Sequence, residues 1–340
     1  METAQTTMQG LLFIDDEEGV RRSLQRALKH EPYKVYAATN GLEGIDFVKE
    51  HTRDIATVVS DYRMPGLDGL ETLKIIGGIN PEITRIILTG YATMEAAINA
   101  TNAGIDGFLT KPFDNVELRA KIREIWIRKH LRQFVSEQIY AEINRSPTSL
   151  GPRLSEVTIL FSDIRNFTHI SQHVTPQELV DFLNNDYFTP MGDIAYQHQG
   201  TLDKHIGDSL MVIFGSPVAR PDDALRAVRT AVAMQRRAIE IDSRLRQSHP
   251  HLRLQTGIGI ASGKVCSGIM GSLRKKEFTS VGMAVNIASR LQSLAQGTEI
   301  LLDEHTMEQV ATDIQATPLP AVTVKGLDAP IPIFSIRVGD

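Results

Sequence analysis

Short apolar runs alternate with amphipathic stretches along the first 125 residues of the chain. The runs typical of strands are 11–14, 35–37, 57–60, 85–88 and 107–109. The residues between them follow a helical period, as in 19–30 and 42–50. Five strands that alternate with helices predict a parallel, doubly wound α/β sheet. In such a sheet, functional sites form beyond the carboxyl ends of the strands.

The pattern changes in the second half of the chain. Strand-like runs occupy 157–162, 202–206, 210–214, 253–260 and 298–302, and helical patterns occupy 176–198, 222–245 and 285–295. Two of the strands are separated by a turn-length gap, which indicates a hairpin. Hairpins mixed with helices predict an α+β domain with a mainly antiparallel sheet.

A long helical pattern joins the two halves. Apolar residues recur at spacings of three and four over 118–143, with one interruption near Lys129, and they form a candidate dimer seam. The other side of this pattern is basic, which is typical of a solvated helix face. The stretch 144–152 is rich in Ser, Pro and Gly and is predicted to be a linker.

Composition narrows the class of protein. A chain of 340 residues is expected to hold two domains, and a net charge of −5 does not favour a general nucleic-acid binder. The single cysteine, Cys266, cannot form an internal disulfide and fits a reducing compartment. No basic flank precedes an apolar stretch at the N-terminus, and no apolar run reaches the length of a membrane span. We therefore expect a cytoplasmic protein.

Polar residues follow the predicted strands of the first half at the same edge of the sheet. Asp15 and Asp16 follow the first strand, Asp61 the third, Thr89 the fourth and Lys111 the fifth. Three carboxylates that converge would repel one another unless a divalent cation is bound, and hard oxygen ligands suit Mg²⁺. A lysine and a threonine at the same edge can bind a phosphoryl group.

These residues lie in the stretches FIDDEE, SDYRMPGLDG, ILTGYA and FLTKPF, and residues 9–128 resemble the receiver domain of bacterial response regulators. The resemblance implies that Asp61 accepts a phosphoryl group from a histidine kinase or a phosphotransfer protein. It also implies one Mg²⁺, a frequently cis Lys111–Pro112 bond, and further roles for matching positions. These are Asp15, Asp16, Asp61 and the Arg63 carbonyl for the metal, Thr89 and Lys111 for the phosphoryl group, and Phe108 as the switch aromatic.

A second group of polar residues surrounds the predicted hairpin. Asp163 follows the strand 157–162, and Asp208 lies at the hairpin turn, where Gly207 can adopt positive φ. Carboxylates on adjacent strand ends can hold two divalent metals for phosphoryl chemistry, although Gly-Asp turns are also common without any function. Asn286 and Arg290 share one helix face, which suits a ribose and a phosphate or is an ordinary surface pair.

The ordered stretches FSDIRNFT, LDKHIGD, EFTSVGMAVNIASR and TVKGL resemble the catalytic domain of class III nucleotide cyclases over 154–338. The resemblance implies a homodimer in which each site draws on both chains, with two Mg²⁺ or Mn²⁺ ions. One subunit would hold the metals through Asp163, Asp208 and the Ile164 carbonyl. The other subunit would bind the substrate, with Lys204 and Thr279 at the purine, Asn286 and Arg290 at the ribose and transition state, and Lys325 at the polyphosphate.

The two purine-reading positions favour adenine. Lys204 can only donate a hydrogen bond, which matches N1 of adenine, and the Thr279 hydroxyl can accept from the 6-amino group. Guanine has a donor at N1 and an acceptor at position 6, so both hydrogen-bonding requirements are reversed and Lys204 would face an N–H. Sites built on hydrogen bonds discriminate strongly against such mismatches. Threonine at position 279 also resembles the bacterial adenylyl subgroup, in which bicarbonate stimulation is a known trait. One departure is Met283, where many relatives have Asp.

We therefore expect a receiver domain (9–128), a helical signalling linker (118–152) and a cyclase domain (154–338) with an α+β, ferredoxin-like fold. The predicted activity is a phosphorylation-regulated adenylate cyclase that converts ATP to 3′,5′-cyclic AMP and pyrophosphate. A guanylate cyclase, which Lys204 disfavours, and a non-catalytic nucleotide-binding signalling module are the alternatives. The stretch that marks diguanylate cyclases and a DNA-recognition helix are both missing from the sequence.

Overall fold

The computed structural model describes residues 10–29, 34–90, 104–132, 134–145, 150–249, 251–324 and 329–338. The chain divides into two compact units, Met1–Phe134 and Val135–Asp340, and each unit has its own core. Across the described ranges, we find no helix with the length and apolar character needed to cross a bilayer.

The N-terminal unit contains a five-stranded sheet in the order β2-β1-β3-β4-β5, and every strand pair is parallel. Its strands are β1 (Gly10–Ile14), β2 (Val35–Ala38), β3 (Ile55–Asp61), β4 (Thr84–Thr89) and β5 (Gly107–Thr110). Its described helices are α1 (Glu18–Ala27), α2 (Gly41–Glu50), α3 (Gly69–Ile79) and α4 (Asn115–Arg132). The predicted doubly wound sheet is confirmed.

Both faces of this sheet are buried, because successive side chains of a strand point to opposite faces. In β1, Leu11 and Phe13 join one core cluster, and Leu12 and Ile14 join another. Such burial on two sides explains why the strands are continuous apolar runs and do not alternate with polar residues.

The apolar stripe predicted to be a dimer seam belongs in part to this core. Leu118, Ile122 and Ile125 of α4 are buried in the same cluster as Leu11 and Phe13. These three residues are therefore unavailable to a partner helix. This half of the stripe is therefore excluded from the candidate dimer seam, because the sheet already covers it.

The predicted helix over 118–143 is also interrupted. Helix α4 ends at Arg132, the described residues 134–136 are not helical, and α5 runs over Glu137–Arg145. The side chain of Lys129 explains the break in the apolar spacing, since its Nζ donates to the carbonyls of Pro81 and Ile83 in the N-terminal unit. Helix α5 is held by the C-terminal unit, where the Gln138 amide donates to the Gly200 carbonyl at 2.8 Å.

The C-terminal unit contains an eight-stranded sheet in the order β12-β13-β11-β9-β6-β8-β7, with β10 paired to β9. All of its strand pairs are antiparallel except β9 with β11. The strands are β6 (Arg153–Ile164), β7 (Thr201–Ile206), β8 (Ser209–Phe214), β9 (Thr256–Gly271), β10 (Lys276–Val281), β11 (Glu299–Asp303), β12 (Thr317–Val322) and β13 (Ile331–Arg337). The predicted α+β class with a mainly antiparallel sheet is confirmed.

Helices cover both faces of this sheet. They are α6 (Phe167–Ser171), α7 (Pro176–Phe182), α8 (Thr189–Gln197), α9 (Asp223–Ser248), α10 (Met283–Leu294) and α11 (Glu304–Val310). Leu160 of β6 packs in the cluster that contains the buried face of α9, whereas Ile159 and Phe161 pack in the cluster that contains Ala284 and Ala288 of α10. Strand β6 is thus central, and its end brings Asp163 to the site described below.

Several elements of this unit differ from the sequence prediction, and β12 and β13 lie where no strand was predicted. The predicted helix 176–198 contains a π-helical turn at Leu183–Phe188, just before Pro190. A wider turn fits here because proline has no N–H to donate and its ring crowds the carbonyl four residues earlier. Strand β9 runs to Gly271, well beyond the predicted end at 260, and its second half was missed because the stretch ASGKVCSGIMG is rich in small residues of low strand propensity. Strand β10 was not predicted either.

Candidate active site

The carboxylates of the N-terminal unit meet at one lysine. Asp15 follows β1, Asp61 ends β3, and Lys111 follows β5, so all three lie at the carboxyl edge of the parallel sheet. The Lys111 Nζ lies 3.1 Å from Asp15 Oδ2 and 2.5 Å from Asp61 Oδ1. Both carboxylates are buried. Burial lowers the pKa of Lys111, but the hydrogen bonds to Asp61 and Asp15 and the charges of both carboxylates outweigh this effect, so its pKa is raised above the ordinary value.

The other predicted residues of this edge differ in their burial and contacts. Thr89 ends β4 and is buried, and its carbonyl accepts from the Lys111 N–H at 2.7 Å. The Arg63 N–H donates to Asp61 Oδ2 at 2.9 Å. Asp16 and Phe108 are exposed, and the Lys111–Pro112 bond is cis, as the resemblance implied.

The predicted group of three carboxylates is not assembled within the described ranges, where no three His, Cys, Asp or Glu side chains are arranged to hold a metal ion. Asp15 and Asp61 are instead joined through the ammonium of Lys111. Two buried carboxylates at one sheet edge nevertheless provide the hard oxygen ligands that suit Mg²⁺.

In the C-terminal unit, strand pairing brings Asp163 and Asp208 together. Asp163 lies near the end of β6 and is paired across the sheet with Ser209. Asp208 therefore occupies the turn just beyond that pair, between β7 and β8. Gly207 has a φ of 65° in this turn, the left-handed conformation that a glycine adopts without strain.

When no cation is bound, the ionised carboxylates of Asp163 and Asp208 are destabilised by burial and by their mutual repulsion. Burial, followed by the charge of Asp208, raises the pKa of Asp163 to about 6, against the opposing effect of Arg165. Arg165 Nη2 lies 2.8 Å from Asp163 Oδ1. Burial also raises the pKa of Asp208, while hydrogen bonds from its own N–H and that of Ile164 oppose the shift. Two partly buried carboxylates that repel each other fit a divalent cation.

The predicted purine-reading residues also lie close together. Lys204 of β7 pairs with Glu277 of β10, with 2.9 Å between Nζ and Oε2. Thr279, two residues further along β10, donates its hydroxyl proton to Asp203 Oδ2 at 2.7 Å. The strands β7 and β10 thus present a lysine and a threonine at one place, although more than seventy residues separate them in sequence.

Asp203, Glu277 and Arg165 were not predicted to contribute to the site. Hydrogen bonds from Lys204 and Lys275 lower the pKa of Glu277 to about 2. Asp203 is the extra residue of a β-bulge, because Leu202 pairs with Val212 and Lys204 with Met211. A carboxylate beside Lys204 in a strand was the available signal, but its contact with Thr279 depends on the bulge and on β10.

Helix α10 presents Asn286 and Arg290 on its exposed face, while Ala284 and Ala288 are buried on the opposite one. The predicted sharing of one face is confirmed. Met283, the departure from the family pattern, is the first residue of this helix and is partly exposed. Lys325 lies outside the described residues.

Residues 151–336 match the family model described as the adenylate and guanylate cyclase catalytic domain, which is more than half of the chain. The chain belongs to this family. A second family model, the response regulator receiver domain, matches residues 11–123. The cyclase domain is thus preceded by a receiver domain.

Curated relatives and solved structures agree with this cyclase family. Adenylate cyclase 1 of Rhizobium meliloti is 32% identical over 184 residues, which is 53% of this chain and 27% of the relative. Adenylate cyclase of Anabaena cylindrica is 34% identical over 189 residues, 53% of this chain and 36% of the relative. The chain therefore spans well under half of the length of these relatives.

Two solved cyclase structures match this chain over nearly all of their own length. The adenylyl cyclase CyaB from P. aeruginosa matches 56% of this chain and 98% of its own, with 32% identity and a TM-score of 0.54. The guanylyl cyclase Cya2 matches 56% of this chain and 96% of its own, with 35% identity and a TM-score of 0.52. One of these structures is an adenylyl cyclase and the other is a guanylyl cyclase, so the similarity does not identify the purine of the substrate. The purine has to be argued from the residues of the site.

Proposed function

We propose that the cyclase domain converts ATP to 3′,5′-cyclic AMP and pyrophosphate, as a cytoplasmic homodimer whose sites draw on both subunits. The observation that carries the proposal is the placement of Lys204 and Thr279 side by side on β7 and β10. Lys204 can only donate, so it matches the N1 acceptor of adenine and opposes the N1–H of guanine. This pair therefore favours ATP over GTP.

The remaining residues act on the sugar and the phosphates. Asn286 would orient the ribose, and Arg290 would stabilise the charge that develops at the α-phosphate during attack by the 3′-hydroxyl. Lys325 would bind the leaving pyrophosphate. Asp163, Asp208 and the Ile164 carbonyl would hold Mg²⁺ or Mn²⁺, and two bound ions supply activation of the 3′-hydroxyl and neutralisation of the leaving group.

The contacts of one chain support a shared site. Asp163 and Asp208 interact with Arg165, whereas Lys204 and Thr279 interact with Glu277 and Asp203, and the two groups have no side chain in common. Lys204 and Asp208 are only four residues apart on one hairpin. A two-fold axis beside that hairpin would join the metal pair of one subunit to the purine pair of the other.

The test is nucleotide turnover by the purified full chain, with ATP or GTP and Mg²⁺ or Mn²⁺. We expect cyclic AMP from ATP, lost in Asp163→Ala and retained in Asp193→Ala, which removes an exposed carboxylate of α8. Cyclic GMP from GTP alone would establish a guanylate cyclase. No product from either nucleotide, at concentrations at which a dimer is measured, would favour a non-catalytic signalling module. Bicarbonate added to the same assay tests the stimulation expected for this subgroup.

We further propose that phosphorylation of Asp61 regulates this activity through the linker. Lys111 is already bonded to Asp61, and a phosphoryl group there would offer the ammonium new oxygens and draw it away from Asp15. Helix α4 is packed into the receiver core and α5 against the cyclase domain, so the segment between them is the connection that a change in the receiver would act upon.

The regulation is tested by treating the full chain with a small-molecule phosphodonor and measuring cyclic AMP production and dimerisation. We expect a change in at least one of them, lost in Asp61→Asn and retained in Asp46→Asn, an exposed carboxylate of α2. If phosphate is incorporated at Asp61 and both measurements stay constant, the regulatory proposal is wrong and the cyclase proposal is unaffected.

A further inference from the structure

A buried carboxylate stands behind the purine-reading threonine. The side chain of Asp203 is only 1% exposed, and its Oδ2 accepts a hydrogen bond from the Thr279 hydroxyl, with 2.7 Å between the two oxygens. No donor among the described residues reaches its Oδ1. Lys204, the nearest cation, lies 3.9 Å from Oδ2 and is paired more closely with Glu277.

Such a carboxylate costs folding free energy. Burial raises the pKa of Asp203 to about 6, and the hydrogen bond from Thr279 offsets only part of this shift. A half-satisfied buried acid is uncommon in native proteins and occurs disproportionately at functional sites. The β-bulge at Asp203 adds a second local cost, because it interrupts the ladder between β7 and β8.

The hydrogen bond to Asp203 decides what Thr279 can offer to a nucleotide. A hydroxyl has one proton and two lone pairs, and it rotates to suit its partner unless another group fixes it. An ionised carboxylate can only accept a hydrogen bond, so the Thr279 hydroxyl donates its hydrogen bond to Asp203. Thr279 then presents lone pairs to the substrate and acts as an acceptor.

We propose that Asp203 is a positioning residue that sets purine selectivity, by holding the Thr279 hydroxyl as an acceptor for the 6-amino group of ATP. The proposal rests on the proposed adenylate cyclase activity. Without Asp203 the hydroxyl is free to rotate, so its lone pairs are no longer held toward the nucleotide and the hydrogen bond that distinguishes the 6-amino group is weakened. Lys204 reads N1 independently and is supported by Glu277.

The experiment compares ATP with purine riboside 5′-triphosphate, which keeps the N1 acceptor and lacks the 6-amino group. The readout is the ratio of kcat/KM for the two nucleotides, because general damage to the fold lowers both values together. For the unmodified chain we expect a preference for ATP of about tenfold, the usual value of one well-formed hydrogen bond. In Asp203→Ala we expect the ratio to fall to about twofold or less.

Two further variants separate positioning from a structural role. Asp203→Asn keeps an oxygen that accepts the Thr279 proton, so most of the selectivity should return. Thr279→Val removes the hydroxyl and should show the same low ratio, and adding Asp203→Ala to it should not lower the ratio further. Asp193→Asn is the matched control at an exposed carboxylate and should leave the ratio unchanged.

The outcomes separate the two proposals. If the unmodified chain makes no cyclic AMP from ATP, the proposed activity itself is wrong. If the chain makes cyclic AMP and Asp203→Ala keeps the full ratio at lower rates for both nucleotides, Asp203 has only a structural role and the inference is wrong. If Asp203→Ala does not fold, Asp203→Leu takes its place, because it removes the acceptor and still fills the buried position; the inference stands if that variant loses the ratio and fails if it keeps the full ratio.

Discussion

The two carboxylate sites of this chain differ in how their charge is balanced. In the receiver domain, Asp15 and Asp61 share the ammonium of Lys111 at the end of a parallel sheet. In the cyclase domain, Asp163 has a contact with Arg165 but also faces Asp208, and its pKa is raised to about 6 by burial and by that neighbour. The first site carries its own counter-charge, and the second retains a repulsion that a divalent cation would relieve.

The difference follows from the strand topology. Parallel strands bring the ends of β1, β3 and β5 to one edge, so a single chain supplies both the acids and the base. In the cyclase domain, antiparallel pairing of β6 with β8 brings Asp163 beside Asp208 at the turn of the β7–β8 hairpin, and Lys204 lies further back along β7. In the proposed homodimer, residues of a partner chain would complete this second site.

The largest effect that would test this contrast is complementation between inactive chains. Asp208→Asn and Lys204→Ala should each abolish cyclic AMP production, because each removes one half of the proposed shared site. Mixed in equal amounts, they should recover about a quarter of the unmodified activity, since half of the dimers then contain one intact site. Asp208→Asn mixed with Asp163→Ala should recover nothing, because both changes affect the same half. Recovery in that control mixture would contradict the assignment.

A second test removes the counter-charge of the receiver site. Lys111→Met leaves Asp15 and Asp61 buried without their ammonium, and we expect a loss of about 1–3 kcal/mol in the free energy of unfolding of this domain. Differential scanning calorimetry of the full chain measures the loss. Lys74→Met, at an exposed lysine of α3, should change little. Adding Asp61→Asn to Lys111→Met should restore part of the stability, and an equal loss in the double variant would argue against charge repulsion as the cause.

Removing a charge from the cyclase site should stabilise the domain, whereas removing the charge of Lys111 should destabilise the receiver domain. This prediction applies to Asp163 and Asp208 when the metal is chelated. The pKa of Asp163 is raised from an ordinary value of 3.8 to about 6 in the folded domain, so the folded state binds the proton more tightly. The domain should therefore lose stability from this group as the pH rises between those values. Asp163→Asn removes the charge and should stabilise the metal-free domain at pH 7.5, by on the order of 1 kcal/mol, and much less at pH 4. Thermal unfolding in EDTA checks this, and a stabilisation that did not depend on pH would exclude the electrostatic explanation.

The smallest effect concerns the support of Lys204. Glu277 is exposed, and pairs of this kind contribute little because water screens them. Glu277→Gln should raise the KM for ATP by about two- to fivefold and leave kcat nearly unchanged, since Lys204 loses an orienting partner but keeps its charge. Steady-state kinetics measures both constants. Glu240→Gln, which breaks an exposed pair on α9, is the control and should alter neither.

Much of the receiver domain was predictable because its information is local. Strands buried on both faces are continuous apolar runs. Because these strands all run in the same direction, their ends bring Asp15, Asp61 and Lys111 to one edge. The helix between the domains was not predicted correctly, because spacings of three and four look alike whether the stripe faces a core or a partner helix. Lys129 interrupted the stripe, but its carbonyl partners at Pro81 and Ile83 are visible only in the fold.

In the cyclase domain the sequence by itself determined which residue types are present: two acids near strand ends, a lysine on a hairpin, and an amide and an arginine on one helix face. Only the tertiary structure decided that Asp203 bonds Thr279 and that Glu277 pairs with Lys204. The reason is physical. Helix faces and strand ends follow from periods of a few residues, whereas contacts across more than seventy residues depend on strand pairing and on a bulge that shifts one side chain. Neither leaves a periodic signal in the sequence.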